Sequence, residues 1–219
     1  MKRVLLLMAI LSVSGVVLAQ KVRFGLQGGL GLPSIQSKAP LNKGGDYHMS
    51  VRFLVGALAE VKLKRFSLQP GLFLTQKGNI SVSQQALVAN GKPTDYEIQH
   101  TINLTYLEIP VNAVFFRTSK FGNLYFGGGP YGAMAIDGFA KDKTKRNNYV
   151  KTVDKQEVEF GDESNQLKRS DFGLNVLGGI RLKNNMDLGV GYSAGFVDLN
   201  NTDLKSYNRV ASVKIGYFF

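Results

Sequence analysis

The chain has 219 residues, enough for one domain with its own core, and holds 25 glycines, 14 phenylalanines and 9 tyrosines but no tryptophan or cysteine. The lack of cysteine excludes disulfides, thiolate metal sites and a lipid anchor on an N-terminal sulfur. The formal charge of +11 comes from dispersed lysines and arginines with no Arg-rich arm and no recognition-helix pattern. No nucleic acid is therefore expected as a partner; the charge fits anionic lipid headgroups and lipopolysaccharide phosphates, or a solvated basic surface.

Residues 1–19 read as an export signal peptide. Lys2 and Arg3 precede an apolar run from Val4 to Leu18, and Val17 and Ala19 occupy the −3 and −1 positions before Gln20. The run is broken by Ser12, Ser14 and Gly15 and is shorter than the ~20 apolar residues that span a bilayer. Cleavage is expected between Ala19 and Gln20, leaving residues 20–219 as one domain. A mean hydropathy of −0.06 does not argue against a membrane barrel, because alternating strands average out.

Period-two alternation dominates the rest. In 22–32, Val22, Phe24, Leu26, Leu30 and Leu32 share a face opposite Arg23, Gly25, Gln27, Gly29 and Gly31. In 51–63, Val51, Phe53, Val55, Ala57, Ala59, Val61 and Leu63 oppose Arg52, Gly56, Glu60 and Lys62. A third strand spans 66–74. A fourth, 97–117, changes apolar parity near Tyr106-Leu107, which reads as a β-bulge in this strand. A fifth, 124–136, contains Gly127, Gly128, Gly129 and Pro130, and a sixth covers 169–182. In the seventh, from Met186, Leu188, Val190, Tyr192 and Phe196 oppose Asp187, Gly189, Gly191 and Gly195. The last sets Ala211, Val213, Ile215, Tyr217 and Phe219 against Ser212, Lys214 and Gly216.

These strands match the ~9–11 residues of a tilted membrane crossing better than the ~5–6 of a soluble sheet. Tight turns at Lys64-Arg65, 118–123 and 183–185 alternate with polar loops at 33–48, 81–96, 137–168 and 198–206. The expected fold is all-β: one antiparallel transmembrane barrel of about eight strands in the outer membrane, short turns and termini periplasmic, long loops outside. At the turn 183–185, Asn suits a left-handed position, and Arg181 is expected opposite Asp187. Arg23, Arg52, Glu60, Lys62, Glu108, Asp171, Arg181, Asp187 and Lys214 fall on the less apolar face and are expected to line a narrow polar lumen. Placed on the lipid face, a lysine or arginine would cost ~2–4 kcal/mol at the midplane. Val213, Ile215, Tyr217 and Phe219, ending on Phe, resemble the signal read by the barrel assembly machinery, although Gly216 departs from the usual pattern.

Tyr106-Leu107-Glu108-Ile109-Pro110-Val111, then Gly127-Gly128-Gly129-Pro130-Tyr131, then Asp171-Phe172-Gly173 resemble the PorT-like outer-membrane β-barrel proteins of Bacteroidota. The resemblance covers most of residues 20–219 and implies an outer-membrane location. It ties one branch to protein secretion and gliding, without saying whether this chain belongs to that branch. Structural roles are expected for Glu108, facing the interior, and for Pro110, which removes a backbone donor.

Other motifs reduce to simpler readings. Gly25–Gly31 lacks the Lys-Ser/Thr and helix of a phosphate loop. His48 and His100 lack the partner spacing of a lipid hydrolase. The acidic stretch 154–163 lacks a calcium loop's ligand pattern. No cofactor and no metal are expected. The reading is a non-enzymatic structural or interaction protein, an accessory to secretion or surface assembly, with an envelope protein partner at loop 137–168. Deletion of 141–163 is expected to spare folding. The alternatives are a small passive pore and a membrane-embedded lipid enzyme.

Overall fold

The computed structural model describes residues 22–37, 45–48, 50–89, 92–146, 149–161, 163, 166–201 and 205–219. Residues 1–19 and the Ala19–Gln20 junction lie outside the described residues. Every regular element among the described residues is a strand: β1 (Val22–Ser37), β2 (Gly45–His48), β3 (Arg52–Lys62), β4 (Ser67–Ala89), β5 (Lys92–Thr118), β6 (Gly122–Arg146), β7 (Tyr149–Glu157), β8 (Ser170–Leu182), β9 (Met186–Gly195) and β10 (Ser206–Phe218). All pairings between them are antiparallel.

Eight strands form a ring in the order β1-β3-β4-β5-β6-β8-β9-β10. The ladder from Gly25↔Phe218 to Ser37↔Ser206 closes β10 onto β1. The short connections at residues 63–66, 119–121 and 183–185 all lie on one rim, with both ends of the ring. At the third, Asn185 has φ 66°, the left-handed position expected there, and Arg181 pairs with Asp187 across the β8–β9 ladder.

Alternation decides what faces out. Phe24, Leu26, Leu30, Val55, Leu72, Ile109, Phe126, Leu174, Val176, Val190, Val213 and Ile215 are all at least 48% exposed, which no soluble protein tolerates as one continuous surface. From Phe24 to Leu32 the belt rises about 26 Å along β1 at ~3.3 Å per residue, or roughly 20 Å at the ~40° tilt of such barrels, close to their ~25 Å apolar band. Exposed aromatics fringe both edges. Phe24, Phe115, Phe121, Tyr217 and Phe219 lie toward the short-turn rim, and Phe53, Phe172, Tyr192 and Phe196 toward the other.

Three sequence expectations change. The bulge is on β6, not on the strand 97–117: Thr105 pairs with Asp137 and Tyr106 with Ala135, which leaves Ile136 unpaired. β5 keeps its parity. Its apolar residues switch sides because Leu104 and Tyr106, both 0% exposed, pack inward on Ala135. The segments 81–96 and 137–168 are largely strand, since β4–β5 pairing continues to Ala89↔Lys92 and β6 pairs with β7. Finally, the lumen is not purely polar, because Leu54, Leu58, Phe73 and Phe218 form a buried cluster inside it. These four fill space left by the small residues around them.

The outward face sets a test. Val190→Arg and Val213→Arg, at positions 60% and 65% exposed, are expected to destabilise the barrel by ~2–4 kcal/mol in urea titrations from phospholipid vesicles; a change near zero would remove lipid from that face.

Candidate functional site

The lumen is crossed by two layers of charge. Toward the short-turn rim, the Arg181 guanidinium donates to Glu60 at 2.6 Å and to Asp187 at 3.2 Å. β3 and β8 stand diametrically opposite in the ring, so the Glu60–Arg181 pair spans the bore. Gln69 donates to Glu60 at 2.9 Å, and Tyr125 and Gln27 donate to Asp187 at 2.6 and 3.3 Å. Arg181 also stacks 3.5 Å from the Phe218 ring centroid, which shields its flat face from water.

The second layer lies toward the long-strand rim. Lys77 Nζ sits 2.9 Å from Glu108 and 3.1 Å from Asp171, with Tyr131 and Tyr106 rings 4.4 and 5.0 Å away. Tyr131 and Asn208 donate to Asp171 at 3.1 and 2.9 Å. Between the layers a cavity of about 50 Å³ is lined by Lys214 together with Glu108 and Asp187. That volume is water-sized. Three cations (Lys77, Arg181, Lys214) thus face four carboxylates (Glu60, Glu108, Asp171, Asp187), and the charged residues of the two layers are each at most 7% exposed.

Paired glycines make this packing feasible. Gly179 faces Gly189, and Gly173 faces Gly195, across the β8–β9 ladder. A Cβ on Gly179 would come 2.6 Å from the Tyr125 hydroxyl, and one on Gly173 would come 2.8 Å from the Tyr131 ring. Each glycine pair is a socket for a tyrosine from β6, and each tyrosine reaches the central aspartate of one layer. Above the second layer, Val158, Phe160 and Leu167 pack onto Leu104, Tyr106 and Ala135. Lys168 N–H donates to Leu199 O at 2.9 Å, and the Asn201 side-chain amide donates to Gly161, Glu163 and Gln166 carbonyls. Part of the stretch 141–163 is therefore a lumen cover, and its deletion would remove Val158 and Phe160 from this cluster.

Among the residues read from the sequence as lumen charges, Glu60, Glu108, Asp171, Arg181, Asp187 and Lys214 lie inside. Arg23 is at the short-turn mouth, donating to Asn185 Oδ1 at 2.7 Å and Phe219 O at 3.3 Å. Arg52 is half-buried toward the opposite end. Lys62 is exposed at the short-turn mouth rather than inside, because it is the last residue of β3 and its long stem reaches water. Val213, Ile215, Tyr217 and Phe219 all point outward. Lys77 and Tyr125 were not singled out from sequence, and Tyr131 only as the end of the glycine-rich motif. Inward parity from Gln69 through Phe73 and Thr75 reaches Lys77 once β4 is extended past Leu74.

Beyond the belt, β2, β4, β5, β6 and β7 continue as a ledge, with β4, β5 and β6 running 23, 27 and 25 residues. Its exterior side carries Lys141, Lys143, Lys145 and Lys155, with Lys145 paired to Glu97 at 2.9 Å. His100 lies on the other side and hydrogen-bonds Asp142 across the β5–β6 ladder. The side chain of His48, in β2, lies outside the described residues. Among the described residues, no group of three acidic, histidine or cysteine side chains could hold a metal.

A closed antiparallel ring, apolar outside and ion-paired within, is an integral outer-membrane β-barrel. The chain belongs to the family described as outer membrane protein beta-barrel domain, whose model matches residues 18–201. It is similar to Neisserial surface protein A, at 14% identity and TM-score 0.42 over 90% of this chain and 97% of that one. Ail of Yersinia pestis gives 13%, 0.41, 91% and 99% in the same order, and OprG from Pseudomonas aeruginosa gives 10%, 0.35, 91% and 97%. Among curated proteins nothing matches.

The second layer has a measurable energy. Lys77→Met leaves Glu108 and Asp171 buried without their cation and is expected to cost ~3–5 kcal/mol in unfolding titrations. Adding Glu108→Gln and Asp171→Asn should recover most of that loss. An unchanged stability in the single variant would mean that the layer is not formed.

Proposed function

We propose that this outer-membrane barrel is a non-enzymatic structural or interaction protein that holds a β-ledge above the membrane for an envelope protein partner, as an accessory to secretion or surface assembly in the PorT-like manner. The observation that carries this reading is the unequal length of the strands. β4, β5 and β6 are about twice as long as a crossing requires, while the bore below them is bridged by Glu60–Arg181. Excess strand with many backbone hydrogen bonds is a rigid platform, and rigid scaffolds are where contact surfaces form. The short turns face the periplasm and the ledge the exterior in this proposal, following the usual asymmetry of such barrels. The exterior lysines Lys141, Lys143 and Lys155 then stand at the level of lipopolysaccharide phosphates. The outward Val213, Ile215, Tyr217 and Phe219 are offered to the assembly machinery during biogenesis.

The ledge tip can be removed without the lumen cover. Asp142 already faces Asp154 across β6 and β7, so replacing residues 143–153 with Asn-Gly closes the hairpin with a two-residue turn. The variant is expected to keep its heat-dependent gel mobility and to lose the envelope proteins cross-linked to wild type in intact cells; an unchanged set of cross-linked proteins would contradict the ledge as docking surface. The pore alternative predicts clear conductance steps in planar bilayers, and the present reading predicts none. The enzyme alternative predicts that His48→Ala with His100→Ala alters the membrane lipid profile, and here no change is expected.

A further inference from the structure

We propose that the short-turn mouth of the barrel is a binding site for a phosphate group. The mouth is a cavity of about 300 Å³ with Lys62, Lys64 and Arg65 on its wall, Arg23 beside them, and the Glu60–Arg181 pair as its floor. The floor is already ion-paired: Glu60 and Asp187 are 0% and 1% exposed, and both are held by Arg181. Arg23 spends donors on Asn185 and Phe219. Lys62, Lys64 and Arg65 form no ion pair among the described residues.

The neighbouring turns add charge of the same sign, against the carboxylate of Phe219 that Arg23 holds. Arg117, Lys120 and Lys183 sit at the neighbouring turns, and no exposed acid lies among residues 61–67, 115–123 and 181–187. The ledge differs in carrying acids among its cations: Lys145 pairs with Glu97, and Asp137 and Glu157 are exposed on β6 and β7. A concave surface with several unopposed cations concentrates anions. Two lysines and an arginine around one cavity exceed what a single carboxylate can neutralise. They match a phosphate, with up to two charges and several acceptor oxygens for charge-assisted bonds. The exposed Phe121 and Phe219 set the mouth at the edge of the apolar belt, within reach of both a lipid headgroup and a soluble phosphate.

The test titrates the full chain, folded in zwitterionic micelles, with inorganic phosphate at constant ionic strength in chloride. Wild type is expected to bind phosphate over chloride. Lys62→Ala with Arg65→Ala is expected to weaken binding about tenfold or more, as loss of a hydrogen bond to a charged group implies. Lys168→Ala with Lys205→Ala removes equal charge from the opposite, long-strand rim and is expected to leave affinity within about twofold, because that charge lies beyond a screening length. Equal weakening by both pairs, or no binding by wild type, overturns the proposal. Heat-dependent gel mobility verifies folding, and Lys62→Gln with Arg65→Gln replaces an alanine pair that does not fold. Nanodiscs then name the source. Phosphatidylglycerol added to phosphatidylcholine raises the apparent Kd for phosphate in wild type alone if headgroups occupy the mouth; an unchanged Kd in wild type assigns it to soluble phosphate.

Discussion

Hydrocarbon offers a strand nothing to hydrogen-bond with, so every N–H and C=O of a membrane-crossing sheet must find its partner in the sheet itself. That requirement is met here where β10 returns to β1, in the ladder Gly25↔Phe218 through Ser37↔Ser206. Once the ring closes, the period of two along each strand leaves no freedom about facing. Slipping one strand by a single residue would put Asp187 or Lys214 into lipid. It would also put Val190 or Val213 into a lumen with no room for them.

Closure also forces charges together. A narrow ring brings side chains from opposite walls within bonding distance, as Glu60 and Arg181 show at 2.6 Å. Their desolvation is offset because each carboxylate is shared among a cation and neutral donors, Gln69 for Glu60 and Tyr125 with Gln27 for Asp187. The glycine pairs are the steric condition for this network, since the two tyrosines reach the aspartates only where β8 and β9 carry no Cβ. Fold and function are linked at this point. In the proposed reading, a bore filled for stability leaves the ledge at one end and the basic mouth at the other to meet other molecules.

Much of the barrel was legible in the sequence because lipid contact imposes a simple, repeated pattern. On β9, Leu188, Val190 and Tyr192 against Asp187, Gly189 and Gly191 specify both faces of the strand. The Asn185 turn followed from the same register. Above the belt that constraint ends. Polar residues at 81–96 and 137–146 read as loops because solvent-exposed strands need no apolar face, and their pairing is set by neighbours far along the chain. Lys77 was hidden for that reason, lying just past the last lipid-facing leucine of β4. The bulge was read on the wrong strand, since the apolar pattern of β5 changes because Leu104 and Tyr106 pack inward, while the extra residue is Ile136 on β6.

The central claim is that one face of each strand meets lipid while the other meets a packed, bridged lumen. The most direct measurement is spin-label accessibility along β9 in phospholipid vesicles, one label per residue from 187 to 192, against oxygen and a water-soluble nickel chelate. The account predicts that labels at 188, 190 and 192 collide with oxygen and not with nickel, with a strict period of two, and that labels at 187, 189 and 191 meet neither in full. High nickel accessibility at 188, 190 and 192 would contradict it, because those side chains would then face water.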